Sequence, residues 1–311
     1  MRVVEVQQYG GVEVLQVVRR AEPRSAEGTA RVAVRAATVN PVDAFTRSGG
    51  FQQVVPGITP PLVLGWDFTG TLLEPLGDLP AGQEVAGMLP WPEAGGAGAY
   101  AEQLSARRDW VAPVPAGLPP TLAATVPLNA LTADQALTAL DLRPGATLLV
   151  TGASGAVGGF AVQLAAAAGL HVLAVASTGD EEHVASLGAK EVLARGDGSA
   201  VADAVRDLLP GGVDAVLDAA ALGQPLLSAV REAGTFLALV TPLAPAPERG
   251  VRVATMMVRP DATRLRELLL AVAGGGLTSR VAEALPLERV AEAHERTERG
   301  GLRGKLVLTL A

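Results

Sequence analysis

ATLLVTGASGAVGGFAVQLAAAAG, running from Ala146 to Gly169, decides how this chain is read. Its opening run, Thr147 to Thr151, is apolar and partly β-branched, as a buried strand requires. A turn of small residues follows, and Val157 to Ala168 then has the composition of a helix packed through its alanines. Within the turn, Ala153, Gly155 and Gly158 spell A-x-G-x-x-G, one residue away from the dinucleotide fingerprint. Small residues permit close approach. A side chain at Gly155 would hold a pyrophosphate off the backbone, and one at Gly158 would wedge the helix away from the strand. The amides that open the helix then face an anion, aided by the helix dipole.

A glycine-rich strand-to-helix turn can also be tight packing and nothing more, so the surrounding sequence carries the decision. Leu170 to Ser177 reads as a second strand, after a crossover of the length a βαβ unit needs. Val213 to Ala221 and Gly234 to Thr241 are two more apolar runs, separated by helical stretches. Strands alternating with helices imply a parallel sheet covered on both faces. The fold class is therefore α/β, with a doubly wound Rossmann sheet that binds a nucleotide.

Composition sets the outer bounds. The 311 residues leave room for two domains, each with its own core. With 49% hydrophobic and 18% charged residues the chain is globular. A net charge of −7 gives no electrostatic footprint for nucleic acid and disfavours an anionic membrane surface. No apolar run approaches the roughly 20 residues of a membrane span. MRVVEVQQYG at the N-terminus does not read as a signal peptide, so the cytoplasm is the simplest compartment. Cysteine is absent, which removes disulfides, thiolate nucleophiles and sulfur-ligated metals together.

The first 120 residues have another texture. Valines on either side of Gly10-Gly11 suggest short antiparallel strands, and Ala30 to Val39 alternates like a half-buried strand. Dense prolines and glycines from Pro41 to Pro92 describe a loop-rich, β-rolled domain. Pro113, Pro115, Pro119 and Pro120 form a stiff connector. Helices are expected over Leu122–Leu128 and Leu131–Leu140. Toward the C-terminus, Val251 to Val258 reads as a strand, and Asp261 as N-cap of a helix over Ala262–Ala273 that stops at Gly274-Gly275-Gly276. A helix over Leu287–Arg299 and a strand over Lys305–Leu310 complete the pattern.

The sequence resembles the zinc-independent quinone oxidoreductases of the medium-chain dehydrogenase/reductase superfamily over nearly its whole length. Five segments carry the likeness: AATVNPVDAFTRSG (Ala36–Gly49), PLVLGWDFTG (Pro61–Gly70), LNALTADQAL (Leu128–Leu137), GASGAVGGFAVQLAAAAG, and LERVAEAHERTERGGLRGKLVL (Leu287–Leu308). The resemblance implies a GroES-like, mostly β catalytic domain formed by residues 1–119 and 262–311. Residues 120–261 would form the dinucleotide-binding domain. It also implies a homodimer joined through Val251–Val258, whose apolar run would be a liability if left exposed.

Zinc-dependent relatives hold a catalytic metal through cysteine and histidine. Here Asn40 stands where such a cysteine would, Gly65-Trp66-Asp67 replaces a Gly-His-Glu, and His171, His183 and His294 lack ligand spacing. These histidines are expected to be satisfied or solvent-facing, and no metal is expected. Tyr9 and Tyr100 are followed four residues later by Glu13 and Leu104, which excludes short-chain dehydrogenase chemistry; no G-x-S-x-G elbow marks a serine hydrolase. What remains is hydride transfer to an acceptor needing little proton activation, a quinone or an α,β-unsaturated carbonyl. The alternative is a nucleotide-binding redox sensor or structural protein with little turnover.

By resemblance, Asn40 and Asp43 are the candidate catalytic residues at the polar end of the substrate slot, with Asn40 also touching the cofactor. Asn-Pro followed by Asp is equally ordinary turn and cap chemistry. Arg47 would anchor its loop on a carboxylate. Phe45 and Phe51 stand where relatives carry tyrosines, which points to a more apolar acceptor, and Trp66 is either an aromatic wall or core. Thr132 and the turn Ala153, Ser154, Gly155, Ala156 and Val157 would meet the pyrophosphate. Ala219, Ala220, Leu239, Val240 and Thr241 would border the nicotinamide ribose. About 20 residues past Gly155 come Ser177 and Thr178, hydroxyl donors suited to a phosphate. Arg195 could take a 2′-phosphate through paired, charge-assisted bonds. NADPH is the expected cofactor.

Overall fold

The computed structural model describes residues 1–310. It divides into two compact units, one of Met1–Leu131 with the residues from Arg259 onward, the other of Thr132–Val258.

In the first unit, β1 (Arg2–Val6) and β2 (Leu15–Arg19) pair antiparallel, with a single 3-10 turn at Val12–Val14 between them. The spine is β3 (Thr29–Val39), eleven residues whose alternation buries one face. Pro41–Arg47 then forms helix α1, a segment for which no helix was anticipated. Seven residues are too few for a 3.6-residue period to show in sequence. The proline-rich region resolves into short strands: β4 (Leu62–Val63), β5 (Asp67–Leu72), β6 (Glu84–Met88), β7 (Gln103–Arg107) and β8 (Val111–Pro113). Helix α2 covers Pro120–Ala123 and α3 covers Pro127–Leu140, so the first expected helix is shorter and the second begins earlier. Proline at the start of each supplies a preset φ without losing a needed donor.

In the second unit, β9 (Thr147–Val150), α4 (Ala156–Ala167) and β10 (His171–Ala176) form the expected βαβ unit. Next come α5 (Glu181–Ser186), β11 (Glu191–Ala194), α6 (Gly198–Leu208), β12 (Val213–Asp218), β13 (Val230–Ala238) and β14 (Arg252–Thr255). The sheet runs β11-β10-β9-β12-β13-β14, parallel at every pairing. The order reverses direction about β9, so a topological switch point lies at its C-terminal end. Leu149, Leu173, Val205, Val216 and Phe236 are among the buried side chains of its core. Strand β11 escapes a sequence reading because only one of its four residues is fully buried.

The chain then returns to the first unit with α7 (Ala262–Ala273), β15 (Val281–Pro286), α8 (Val290–Arg299) and β16 (Lys305–Thr309). Strand β16 pairs with the C-terminal half of β3, Leu306 opposite Val39, giving the order β15-β16-β3-β5-β6-β8, with β7 on the N-terminal half of β3. Strand β15 was not anticipated, since its charged and exposed positions dilute the apolar signal. Among the described residues no helix is long and apolar enough to cross a membrane.

Asp261 caps α7 as expected, its Oδ1 accepting from the Arg264 amide at 2.8 Å. Asp261→Ala is expected to cost about 1 kcal/mol in urea unfolding, with Asp261→Ser close to wild type. Equal loss in both variants would show that the cap bond is not the source.

Candidate functional site

The residues singled out from the sequence collect in two places, one within each unit. In the second unit they follow the C-terminal ends of the parallel strands: Ala153 to Val157 after β9, Ser177 and Thr178 after β10, Arg195 after β11, Ala219 and Ala220 after β12, Leu239 to Thr241 after β13. Thr132 sits half-buried on α3.

The turn after β9 is built for close approach. Gly152 has φ +66, where glycine is unstrained. A Cβ at Gly158 would lie 2.2 Å from the Gly152 carbonyl oxygen and 2.9 Å from Ala153 Cα, so α4 meets this turn only because residue 158 has no side chain. Gly155 is different. It is exposed and extended (φ −85, ψ 172), and its Cβ would meet only the Gly152 oxygen, at 3.2 Å. As N-cap of α4, Gly155 contributes no side-chain bond to the first-turn amides. Ser154 Oγ accepts from the Ser177 amide at 2.9 Å and ties this turn to the end of β10. Ala176 pairs with Ala194, so Ser177 and Arg195 leave adjacent strands at the same level. Asp180 is the N-cap of α5 and Glu181 and Glu182 lie exposed in its first turn, where acids suit the dipole.

In the first unit, Asn40 and Asp43 belong to a buried polar cluster. Asn40 is the N-cap of α1 and Asp43 its third residue, forming a capping box. Asp43 is fully buried, one oxygen accepting from the Asn40 amide and the other from the Gly65 amide, both at 2.9 Å. The Asn40 side chain, 2% exposed, is used at both ends. Its Oδ1 accepts from Lys305 Nζ at 2.5 Å, and its Nδ2 donates to Thr38 Oγ1 at 3.0 Å and Asp67 Oδ1 at 3.2 Å. Thr38 Oγ1 donates to the same Asp67 oxygen.

Burial dominates the electrostatics of this cluster. It pushes the Asp43 carboxyl up to about 7, against the amides of Asn40 and Gly65 that favour its charge. Asp67 rises to about 6 by burial, opposed first by the Lys305 ammonium. Lys305 itself falls to about 8 by burial, opposed by Asp67 and Asp43.

Phe51 and Trp66, 6% and 3% exposed, pack edge to face at 5.7 Å, and Trp91 stacks on Trp66 at 6.1 Å. Both are core residues within this unit. Phe45 is half-buried, its ring against Gly50. Arg47 does anchor its segment on a carboxylate, Glu298, at 2.7 Å. His294, expected to be satisfied or solvent-facing, is fully buried and satisfied at one nitrogen: its Nδ1 faces Arg47 at 3.2 Å, while its Nε2 has no partner among the described residues. Burial and the adjacent guanidinium lower it to about 3, so it is a neutral packing element between α1 and α8. Thr38, Lys305 and Tyr100, whose hydroxyl donates to the Thr38 carbonyl at 3.3 Å, were missed, because residues spread from 38 to 305 leave no local motif.

Known proteins bear on both places. The family of alcohol dehydrogenase GroES-like domains matches residues 26–116, and the zinc-binding dehydrogenase family matches residues 187–308. An Arabidopsis thaliana NADPH-dependent alkenal/one oxidoreductase of the chloroplast is 29% identical over 311 residues, covering 96% of this chain and 77% of that protein. The quinone oxidoreductase of Coxiella burnetii superposes with a TM-score of 0.86 at 25% identity, over 100% of this chain and 99% of that one. A mycobacterial protein complexed with NADPH superposes with a TM-score of 0.85 at 27% identity, over the full length of both.

The cluster makes its own prediction. Lys305→Met leaves Asp67 buried without its cation and is expected to cost about 3–5 kcal/mol in urea unfolding. Lys305→Met with Asp67→Asn should recover much of that loss. A double variant no more stable than the single would show that the two charges are not coupled.

Proposed function

The chain belongs to the quinone oxidoreductase group of the medium-chain dehydrogenase/reductase superfamily, and from that premise we propose that it is an oxidoreductase carrying hydride from NADPH to quinones or α,β-unsaturated carbonyls without zinc. The first unit takes the acceptor and the second the dinucleotide.

The observation that carries the reading is Gly155. Any residue could adopt its backbone conformation, and a Cβ there would press on one atom, the Gly152 oxygen at 3.2 Å, a contact relieved by a shift of a few tenths of an ångström. Packing therefore demands glycine far less at 155 than at 158, where the same oxygen would lie 2.2 Å away. Access for a ligand accounts for the difference. A pyrophosphate fits a corner with no side chain in front of the amides of Ala156 and Val157, at the positive end of a twelve-residue helix. Ser177, Thr178 and Arg195 would receive a 2′-phosphate, with the exposed Arg195 guanidinium supplying paired donors; their departure from adjacent strands at one level supports this. Ala219, Ala220 and Leu239 to Thr241, at the ends of β12 and β13, would border the nicotinamide ribose.

When bound, the reduced nicotinamide supplies the hydride. The chain's own part is to orient and to exclude water. A conjugated acceptor delocalises the incoming charge onto its own oxygen, so it needs no metal to polarise it. Zinc does not fit these residues. The Asn40 amide oxygen is taken by the Lys305 ammonium, Trp66 lies in an aromatic cluster, and among the described residues no three His, Asp or Glu are grouped to hold a metal ion. With their polar atoms engaged inside the protein, Asn40 and Asp43 contribute by fixing the start of α1 at the acceptor's unit. A homodimer through β14 belongs to the same proposal. That strand pairs only with β13, and the nearby Leu243 and Met257 are 53% and 43% exposed.

NADPH mixed with the pure protein should be oxidised only when a quinone or enone is added; binding with no turnover across an acceptor panel would contradict the reading. Gly155→Val should weaken NADPH at least about tenfold with only a small drop in thermal unfolding temperature, because the new side chain stands in the ligand's place and presses on the protein mainly at the Gly152 oxygen. Unchanged affinity would place the pyrophosphate elsewhere. Arg195→Ala should weaken NADPH more than NADH, and equal losses would remove its phosphate role.

A further inference from the structure

Thr151 and Asp218 stand side by side at the ends of β9 and β12, one residue beyond the pairing of Val150 with Leu217. Both side chains are buried, at 0% and 1% exposure, and each answers the other. Thr151 Oγ1 donates to Asp218 Oδ1 at 2.7 Å and accepts from the Ala220 amide at 2.9 Å. The Asp218 carboxylate also accepts from the amides of Leu222, at 3.2 Å, and Gly223, at 2.9 Å. Two side chains thus hold three backbone amides of the turn that follows β12.

Inside that turn Ala221 has φ +58, a left-handed conformation that alanine rarely adopts. Such strain persists only where the flanks are fixed, and it gathers where a backbone must meet a ligand. The same pair governs the other strand end. Thr151 leads directly into Gly152, and a Cβ there would lie 3.5 Å from Ala219 C and from Ala220 N and Cβ. The two strand-end turns therefore abut, and their contact is set by the Thr151–Asp218 bond. The Thr151 hydroxyl is spent on internal bonds, donating one and accepting one, and the Asp218 carboxylate accepts three; both act through the backbone they hold.

We propose that Thr151 and Asp218 are positioning residues for the dinucleotide, fixing the Ala219–Ala221 turn against the Gly152 turn so that the nicotinamide half of the cofactor is held in register. This rests on the dinucleotide reading above. The adenosine end, at Ser177, Thr178 and Arg195, follows β10 and β11; its tie to the turn after β9 runs through Ser154 Oγ, and the bonds of Thr151 and Asp218 go to the turn after β12 instead.

That asymmetry gives the test. NADPH and 2′,5′-ADP, which carries only the adenosine end, are titrated into the wild-type chain and into Thr151→Val, Thr151→Ser and Asp218→Asn, well below each protein's unfolding temperature. Thr151→Val should weaken NADPH about tenfold, the scale of one lost buried hydrogen bond, while 2′,5′-ADP stays within about twofold. Thr151→Ser should restore NADPH affinity, because the hydroxyl and not the methyl is required. Asp218→Asn should show the same split between ligands, and it carries the test if Thr151→Val does not fold. Wild-type affinity in Thr151→Val, equal loss of both ligands, or no rescue by serine would each overturn the proposal. A wild-type chain that binds neither ligand would overturn the dinucleotide reading, and this proposal with it.

Discussion

The approach of α4 to the turn after β9 is the constraint on which the second unit depends. With 2.2 Å between a hypothetical Cβ at Gly158 and the Gly152 oxygen, the helix could not start where it does with any other residue at 158. Moving the helix out would lift its packed face from the sheet, where Phe160, Ala161 and Ala165 are buried. The contact also determines what is left open. It brings the first turn of α4 to the C-terminal edge of the sheet with no side chain in front of it, and the loops after β10, β11, β12 and β13 leave from that same edge. A steric requirement of packing and a requirement of ligand access meet in one turn, at neighbouring glycines with different reasons for being glycine.

The first unit is organised by polarity in its interior. Asp43, Asp67 and Lys305 are all buried, an arrangement that costs desolvation and is held by hydrogen bonds rather than by charge attraction alone. Its geometric effect is to join four pieces of chain distant in sequence: the end of β3 through Thr38, the start of α1 through Asn40, the start of β5 through Asp67, and the start of β16 through Lys305. Arg47, reaching Gly10, His294 and Glu298, adds α8. Around Asn40 these side chains form an internal ammonium–amide–carboxylate network. On the proposed function this suits an acceptor that carries its own electron sink.

Much of this was legible in the sequence, and the limits have physical causes. The βαβ unit could be read because a four-residue apolar strand, a small-residue turn and a twelve-residue helix each leave a local pattern. The N-cap at Asp261 was legible for the same reason. Helix α1 and strands β11 and β15 were not: α1 is short and three of its four buried residues, Asp43, Thr46 and Arg47, are polar, while β11 and β15 each bury a single residue fully. The residues around Asn40 drew attention by resemblance, yet their roles depend on Lys305, 265 residues away, which no spacing rule connects to them. For His294 the sequence left open a satisfied or a solvent-facing side chain; α8 turns that position inward against Arg47 and Tyr100, which its polar helix does not reveal. Thr151 and Asp218 look like ordinary strand ends until the register sets them side by side.

A crystal structure of the chain with NADPH bound measures the central claim most directly. The account predicts diphosphate oxygens within about 3 Å of the amide nitrogens of Ala156 and Val157, in front of Gly155, as helix-terminus anion sites are built. A dinucleotide held elsewhere, with that corner filled by solvent or side chains, would contradict it.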